Sequence, residues 1–166
     1  MFRNLGDGQF EDVTDRAGAV FHLSEVGRGA AFGDIYNDGD VDVLVGNDAG
    51  RTRLLINNVG SRKHWLGLRL VGAPAPRPST RSTGSGRDMY GARVAVFRAN
   101  SPTLWRRARA DGSYASANDP RVLVGLGDSA EPPRVRVLWP SGRIEEWAAL
   151  GTDRYTTLKE GSGNAK

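Results

Sequence analysis

Phe32-Gly33-Asp34-Ile35-Tyr36-Asn37-Asp38-Gly39-Asp40-Val41-Asp42 runs straight into the apolar Val43-Leu44-Val45. Four aspartates and one asparagine stand within residues 34–42, with one glycine among them. Carboxylates this dense repel one another unless a cation or hydrogen-bond donors lie between them. Calcium takes roughly six to eight oxygen ligands in flexible geometry, and acidic loops with a turn glycine supply them. The same residues also serve a metal-free turn, because Asn, Asp and Gly favour turns for backbone reasons alone. Either way, the apolar run that follows predicts a buried strand leaving a tight acidic loop.

Asp34, Asp38 and Gly39 fall at positions 1, 5 and 6 of an EF-hand-like spacing. Position 12 is Val45, where a bidentate glutamate is required, and the flanks are β-branched and glycine-rich, not helical. A short calcium loop entering a strand fits better. In this form the stretch resembles the FG-GAP/VCBS repeat, a calcium-binding blade of β-propellers whose loop reads D-x-D-x-D-G-x-x-D. Asp34, Asp38 and Asp42 match its first, fifth and ninth positions, and Gly39 matches its glycine. The resemblance implies that Asp40, at position 7, ligates through its backbone carbonyl. Position 3 departs from the pattern: Tyr36 replaces a carboxylate. With one carboxylate missing, the expected affinity lies near the weak end of the calcium range, about 10⁻⁴ to 10⁻³ M.

The composition of the 166 residues limits the alternatives. One or two small domains are expected at this length. Hydrophobic residues make up 39%, enough for a modest core, and 22 glycines suit many tight turns. There is no cysteine, hence no disulfide, thiolate metal site or thiol nucleophile. No run approaches the roughly 18 apolar residues of a membrane helix. Met1-Phe2-Arg3-Asn4 opens no apolar signal segment, so no signal peptide is expected within this stretch of chain.

Charge divides the chain. Residues 1–60 hold five arginines against ten acidic residues, a net of −5. Residues 61–166 hold 18 basic and nine acidic residues, a net of +9. Such asymmetry marks two modules with different surfaces. Arginine outnumbers lysine 20 to 3, which points to compositional bias more than to a phosphate site, and nucleic acid is not an expected partner.

The chain reads as all-β. In residues 1–60, Phe2–Leu5 and Gln9–Val13 flank a Gly6-Asp7-Gly8 hairpin turn. Strands over Arg28–Phe32, Val41–Val45 and Arg53–Asn57 surround the acidic loop. Sixty residues amount to about one propeller blade plus a piece of another, and a blade uses about four strands. In residues 61–160, seven short strands are expected from His64 to Lys159 at spacings that favour a small sandwich or barrel-like domain. Residues 73–86 carry three prolines and no large apolar side chain, so a flexible insertion is expected there. Residues 161–166 are expected to be a disordered tail.

The second module resembles the ASPIC/UnbV domain. It carries, in order, His64-Trp65-Leu66, Gly91-Ala92-Arg93-Val94, Gly112-Ser113-Tyr114, Asn118-Asp119-Pro120-Arg121, Gly125-Leu126-Gly127 and Val137-Leu138-Trp139-Pro140-Ser141-Gly142-Arg143. Such domains follow FG-GAP/VCBS repeats in the cartilage acidic protein family and in many bacterial secreted proteins. The resemblance therefore implies an extracellular or cell-envelope setting. It implies no settled activity.

Catalytic constellations are missing from the sequence. There is no G-x-S-x-G elbow, no H-E-x-x-H and no phosphate loop. His64 reads as structural. Glu145 and Glu146 are neighbours on a strand and point to opposite faces, so they cannot flank one bond, and they read as alternating surface charges. Asn118-Asp119-Pro120-Arg121 reads as an Asx-type turn. Trp139 is expected in the core, and Trp105, beside Arg106-Arg107, on the surface. The expected function is a non-catalytic, calcium-stabilised interaction module at the C-terminal end of a longer propeller protein. Two alternatives stay open: a fragment of a secreted enzyme whose active site lies in upstream blades, or a glycan- or polyanion-binding module.

Overall fold

Among the described residues, strands account for all of the longer regular elements, joined by turns and three short 3-10 turns. The structure, a computed structural model, describes residues 1–72, 86–99 and 101–166. The expected insertion at 73–86 thus falls, Gly86 apart, outside the described residues.

Two sheets form the larger body. One has five strands in the order β13-β11-β10-β7-β8, with β7 at Arg93–Phe97, β8 at Leu104–Arg107, β10 at Arg134–Leu138, β11 at Ile144–Trp147 and β13 at Asn164–Ala165. The other has three, in the order β12-β6-β9, with β6 at His64–Val71, β9 at Val122–Gly127 and β12 at Tyr155–Lys159. Their inner faces meet in one core. Val94, Val96, Val135, Val137 and Trp139 come from the first sheet, and Leu66, Leu68, Val122, Val124 and Leu158 from the second. Alternation along each strand sends every second side chain inward, as a sandwich requires. The architecture is all-β and sandwich-like, with no closed barrel.

Residues 1–60 form two smaller sheets. β1 (Phe2–Gly6) and β2 (Gln9–Asp12) make the expected hairpin, with Gly6, Asp7 and Gly8 all at positive φ. β3 (Gly27–Gly33), β4 (Asp42–Asn47) and β5 (Arg53–Leu55) make a separate antiparallel sheet in that order. The five strands are therefore split between a hairpin and a three-stranded sheet, not joined in one four-stranded blade.

Two expectations are corrected. Residues 161–166 are not a disordered tail: β13 pairs with β11, Glu145 opposite Ala165 and Glu146 opposite Asn164. The signal was hidden because Gly161-Ser162-Gly163-Asn164-Ala165-Lys166 has no large apolar residue. Its order comes from strand pairing and from the Gly161 N–H, which donates to both carboxylate oxygens of Glu145 at 2.9 and 3.0 Å. Glu145 and Glu146 are likewise not surface charges. They do point to opposite faces, but both are buried. Glu145 accepts the Trp139 indole N–H at 2.7 Å. Glu146 accepts from Arg136 at 2.6 Å and from Arg134, and these cations hold its carboxyl below the usual glutamate range.

Candidate functional site

The acidic loop links β3 to β4 and is held from both ends. Asp42, the first residue of β4, takes the Asn57 N–H on Oδ1 at 2.9 Å and the Ile35 N–H on Oδ2 at 3.1 Å. Asp34 takes the Asp38 N–H at 3.1 Å and the Gly39 N–H at 2.9 Å, closing the turn on itself. Asp38 takes the Asp40 N–H at 3.1 Å. Asp34, Asp40 and Asp42 are buried, whereas Asp38 and Tyr36 are exposed. The carboxylates thus organise the turn through backbone N–H groups. Among the described residues no three acidic or imidazole side chains converge to hold a metal ion.

Gly39 is required on two counts. Its φ of +91° lies in the left-handed region, and a methyl at this position would collide with the indole of Trp65. Trp65 opens β6 and belongs to the sandwich, so the tip of the acidic loop rests directly on the second module. Asp153 fixes that end of β6: its N–H donates to Trp65 O at 2.8 Å, its Oδ1 takes the Trp65 N–H, and its Oδ2 lies 2.7 Å from His64 Nδ1. His64 is thereby placed in a structural hydrogen-bonded contact at the surface, and this contact holds the Asp153 carboxyl below its ordinary range.

Around this contact the second module supplies a clamp. The guanidinium of Arg121 donates to Asp119 Oδ2 at 2.6 Å, to the backbone oxygen of Asp34 at 2.7 Å and to Asn37 Oδ1. It lies 4.0 Å above the ring of Tyr155. The Tyr155 hydroxyl donates to Asp34 Oδ2 at 3.0 Å; burial first, and then this bond to a carboxylate, push its ionisation far above the usual tyrosine range. Burial of Arg121 is outweighed by Asp119, Tyr155 and Asp34, which keep it charged. Arg121 therefore brings one fixed positive charge to a loop that carries four aspartates.

The outer edge of β3 is closed by the same segment. The Ala30 N–H donates to Ser113 Oγ at 3.1 Å, the Phe32 N–H to Asn118 Oδ1 at 3.0 Å, and the Asp119 N–H to Phe32 O at 2.9 Å. At Gly29 any Cβ would crowd Tyr114 O, so the two backbones approach as closely as glycine permits. An unpaired sheet edge is thus covered. Asn118-Asp119-Pro120-Arg121 does form its Asx turn, Asp119 Oδ1 accepting the Arg121 N–H at 2.9 Å. Its side chains also grip the N-terminal sheet, a role the sequence reading missed. A polar corner ending in arginine, with an acidic loop elsewhere in the chain, was the available signal.

A β-sandwich that clamps a three-stranded sheet and its acidic loop defines the class of this molecule. Residues 82–165 match the family described as ASPIC and UnbV, and the chain belongs to that family. It is also similar to cartilage acidic protein 1 of Xenopus tropicalis, with 41% identity over 56 residues, 34% of this chain and 8% of that protein. The matched stretch is thus a small part of the relative's length.

Proposed function

We propose that the chain is a non-catalytic extracellular interaction module, the C-terminal part of a longer propeller protein in which β3, β4 and β5 form part of a blade. The observation that carries this reading is an unpartnered sheet with two apolar faces. Leu44 pairs with Ala31 and Leu54 on one face, and Val43 with Phe32 and Leu55 on the other. Fifteen of the 18 large exposed apolar residues lie at or before Val59, whereas the sandwich buries its own core. A soluble surface rarely carries so much apolar area without something to cover it. Neighbouring blades would cover both faces. The similarity to a cartilage acidic protein supports an extracellular setting. No helix among the described residues is long and apolar enough to cross a membrane.

The test compares chain lengths. Leu44→Lys with Leu54→Glu should shift the stability of the 166-residue chain by no more than about 0.5 kcal/mol, as exposed substitutions do. In a longer protein carrying upstream blades, the same pair should cost several times as much. Equal, small effects in both would mean that nothing packs on this sheet.

Calcium is the second element of the proposal. The side chains of Asp34, Asp38 and Asp42, which do not converge in this structure, would have to turn toward one another to form, with the carbonyl of Asp40, an all-oxygen, acidic donor set of the kind calcium takes. A bound ion would neutralise the aspartates that Arg121 alone does not balance. At the expected Kd of about 10⁻⁴ to 10⁻³ M, about 10 mM calcium would add about 1.4–2.7 kcal/mol to stability. Thermal melts in millimolar calcium and in chelator should therefore differ, and Tyr36→Asp should widen the gap. Superimposable melts for both chains would leave the loop as a hydrogen-bonded turn without metal.

A further inference from the structure

The outward face of the five-stranded sheet is built unlike the rest of the surface. Its rows follow from the register: Arg107 opposite Arg93 opposite Leu138, then Trp105 opposite Ala95 opposite Arg136 opposite Glu146, then Phe97 opposite Arg134. Arg134 and Arg136 are committed, both to Glu146 and, stacked at 4.0 and 5.4 Å, to the ring of Phe97. Arg93 and Arg107 are different. They are a directly opposed like-charged pair, an arrangement that destabilises a sheet. Among the described residues, Arg93 meets the Trp105 ring, 5.2 Å away, and Arg107 makes a long 3.4 Å contact with exposed Asp111. Several other arginines are neutralised at closer range, as in Arg53 with Glu25, Arg69 with Asp88 and Arg121 with Asp119. Trp105 is 50% exposed, so an indole lies open beside Arg93 and the loosely paired Arg107.

Charges on an edge strand guard against unwanted pairing. That explains a cation on β8. It does not explain Arg93, one strand inside the edge, or an exposed indole between the two. Guanidinium forks bind carboxylate and sulfate oxygens bidentately, and an open aromatic face takes the apolar side of a sugar ring. We propose that this face binds an acidic polysaccharide: Arg93 and Arg107 take its sulfate or carboxylate groups, and Trp105 lies against a ring. The extended sheet suits a linear polymer better than a small anion. The proposal rests on the reading of the chain as an interaction module and names the ligand class for one face. It does not involve the acidic loop or β3 to β5.

Binding of the full chain to immobilised heparin, dextran sulfate, hyaluronan and polyuridylate, at several salt concentrations, tests it. Heparin should bind at about 0.15 M salt, where exposed charges act over only about 8 Å. Dextran sulfate carries sulfate without carboxylate, and hyaluronan the reverse, so their ratio shows which oxyanion is preferred. Arg93→Ala with Arg107→Ala should weaken heparin binding by about tenfold or more and flatten its salt dependence. Arg93→Lys with Arg107→Lys keeps the charge and should retain part of the affinity. Trp105→Ala should weaken binding with the salt dependence unchanged. Arg3→Ala with Arg51→Ala, an exposed arginine of β1 and one of the loop between β4 and β5, should change nothing. An equal loss from that control pair, no binding at 0.15 M salt, or tighter binding of polyuridylate than of any glycan would overturn the proposal. None of these results would alter the calcium response or the Leu44 and Leu54 comparison.

Discussion

Replacing Trp139 with alanine is expected to lower the unfolding free energy by about 3–5 kcal/mol, the range for deleting a buried aromatic side chain. Trp139 is 1% exposed and follows β10 at the turn formed by Pro140, Ser141 and Gly142. Its ring fills the sandwich core beside Val135 and Val137. The loss has a second part. The indole N–H donates to Glu145 Oε2, and without it a buried carboxylate keeps only the Gly161 N–H as a close donor. Buried charges stripped of a partner are costly. Trp139→Phe separates the two contributions: it keeps most of the packing and removes the donor, for about 1–3 kcal/mol. Urea melts followed by circular dichroism measure both. A loss below about 1 kcal/mol for the alanine variant would mean that the site collapses around the gap.

Arg121→Met is expected to cost about 2–4 kcal/mol, through three hydrogen bonds and a desolvated pairing with Asp119. The methionine chain keeps much of the apolar stem against Tyr155, so the loss reports the guanidinium. The effect should also be local. Hydrogen exchange should accelerate across residues 34–42 and at Phe32, while β7 and β10 keep their protection. Uniform loss of protection would show that the clamp and the sandwich open as one unit.

Much of the fold was legible because alternation is a strong signal. The strand at His64–Val71 and those ending near Phe97, Leu138 and Lys159 follow from apolar residues at every second position, and Pro140-Ser141-Gly142 marks a turn. The hairpin at Gly6-Asp7-Gly8 was equally plain. What was not legible is long-range. Glu145 looks like a surface charge because its close hydrogen-bond donors lie in a tryptophan six positions before it and a glycine 16 after it. β13 has no hydrophobic pattern and exists only because β11 offers an edge. At the acidic loop the sequence identified the aspartates and the special glycine. The ring beneath Gly39 and the arginine across Asp34 come from 26 and 87 positions away, with no local pattern to announce them. The motif segments around Ser113, Asn118 and Arg121 were visible as an ordered set, yet their use as a clamp follows only from where β3 lies.

The parallel pairing of β12 with β6 sets Tyr155 beside Gly67. Nearly ninety residues separate these partners, so the three-stranded sheet cannot be completed until synthesis has passed Lys159. At translation rates of about 5–20 residues per second, β6 waits about 5–20 s for its neighbour. Throughout that interval Trp65 has no Tyr155 to pack on, and the apolar faces of β3 to β5 are already outside. This ordering places the closing step of the sheet at residues 155–159: everything before them can be made and still not finish it.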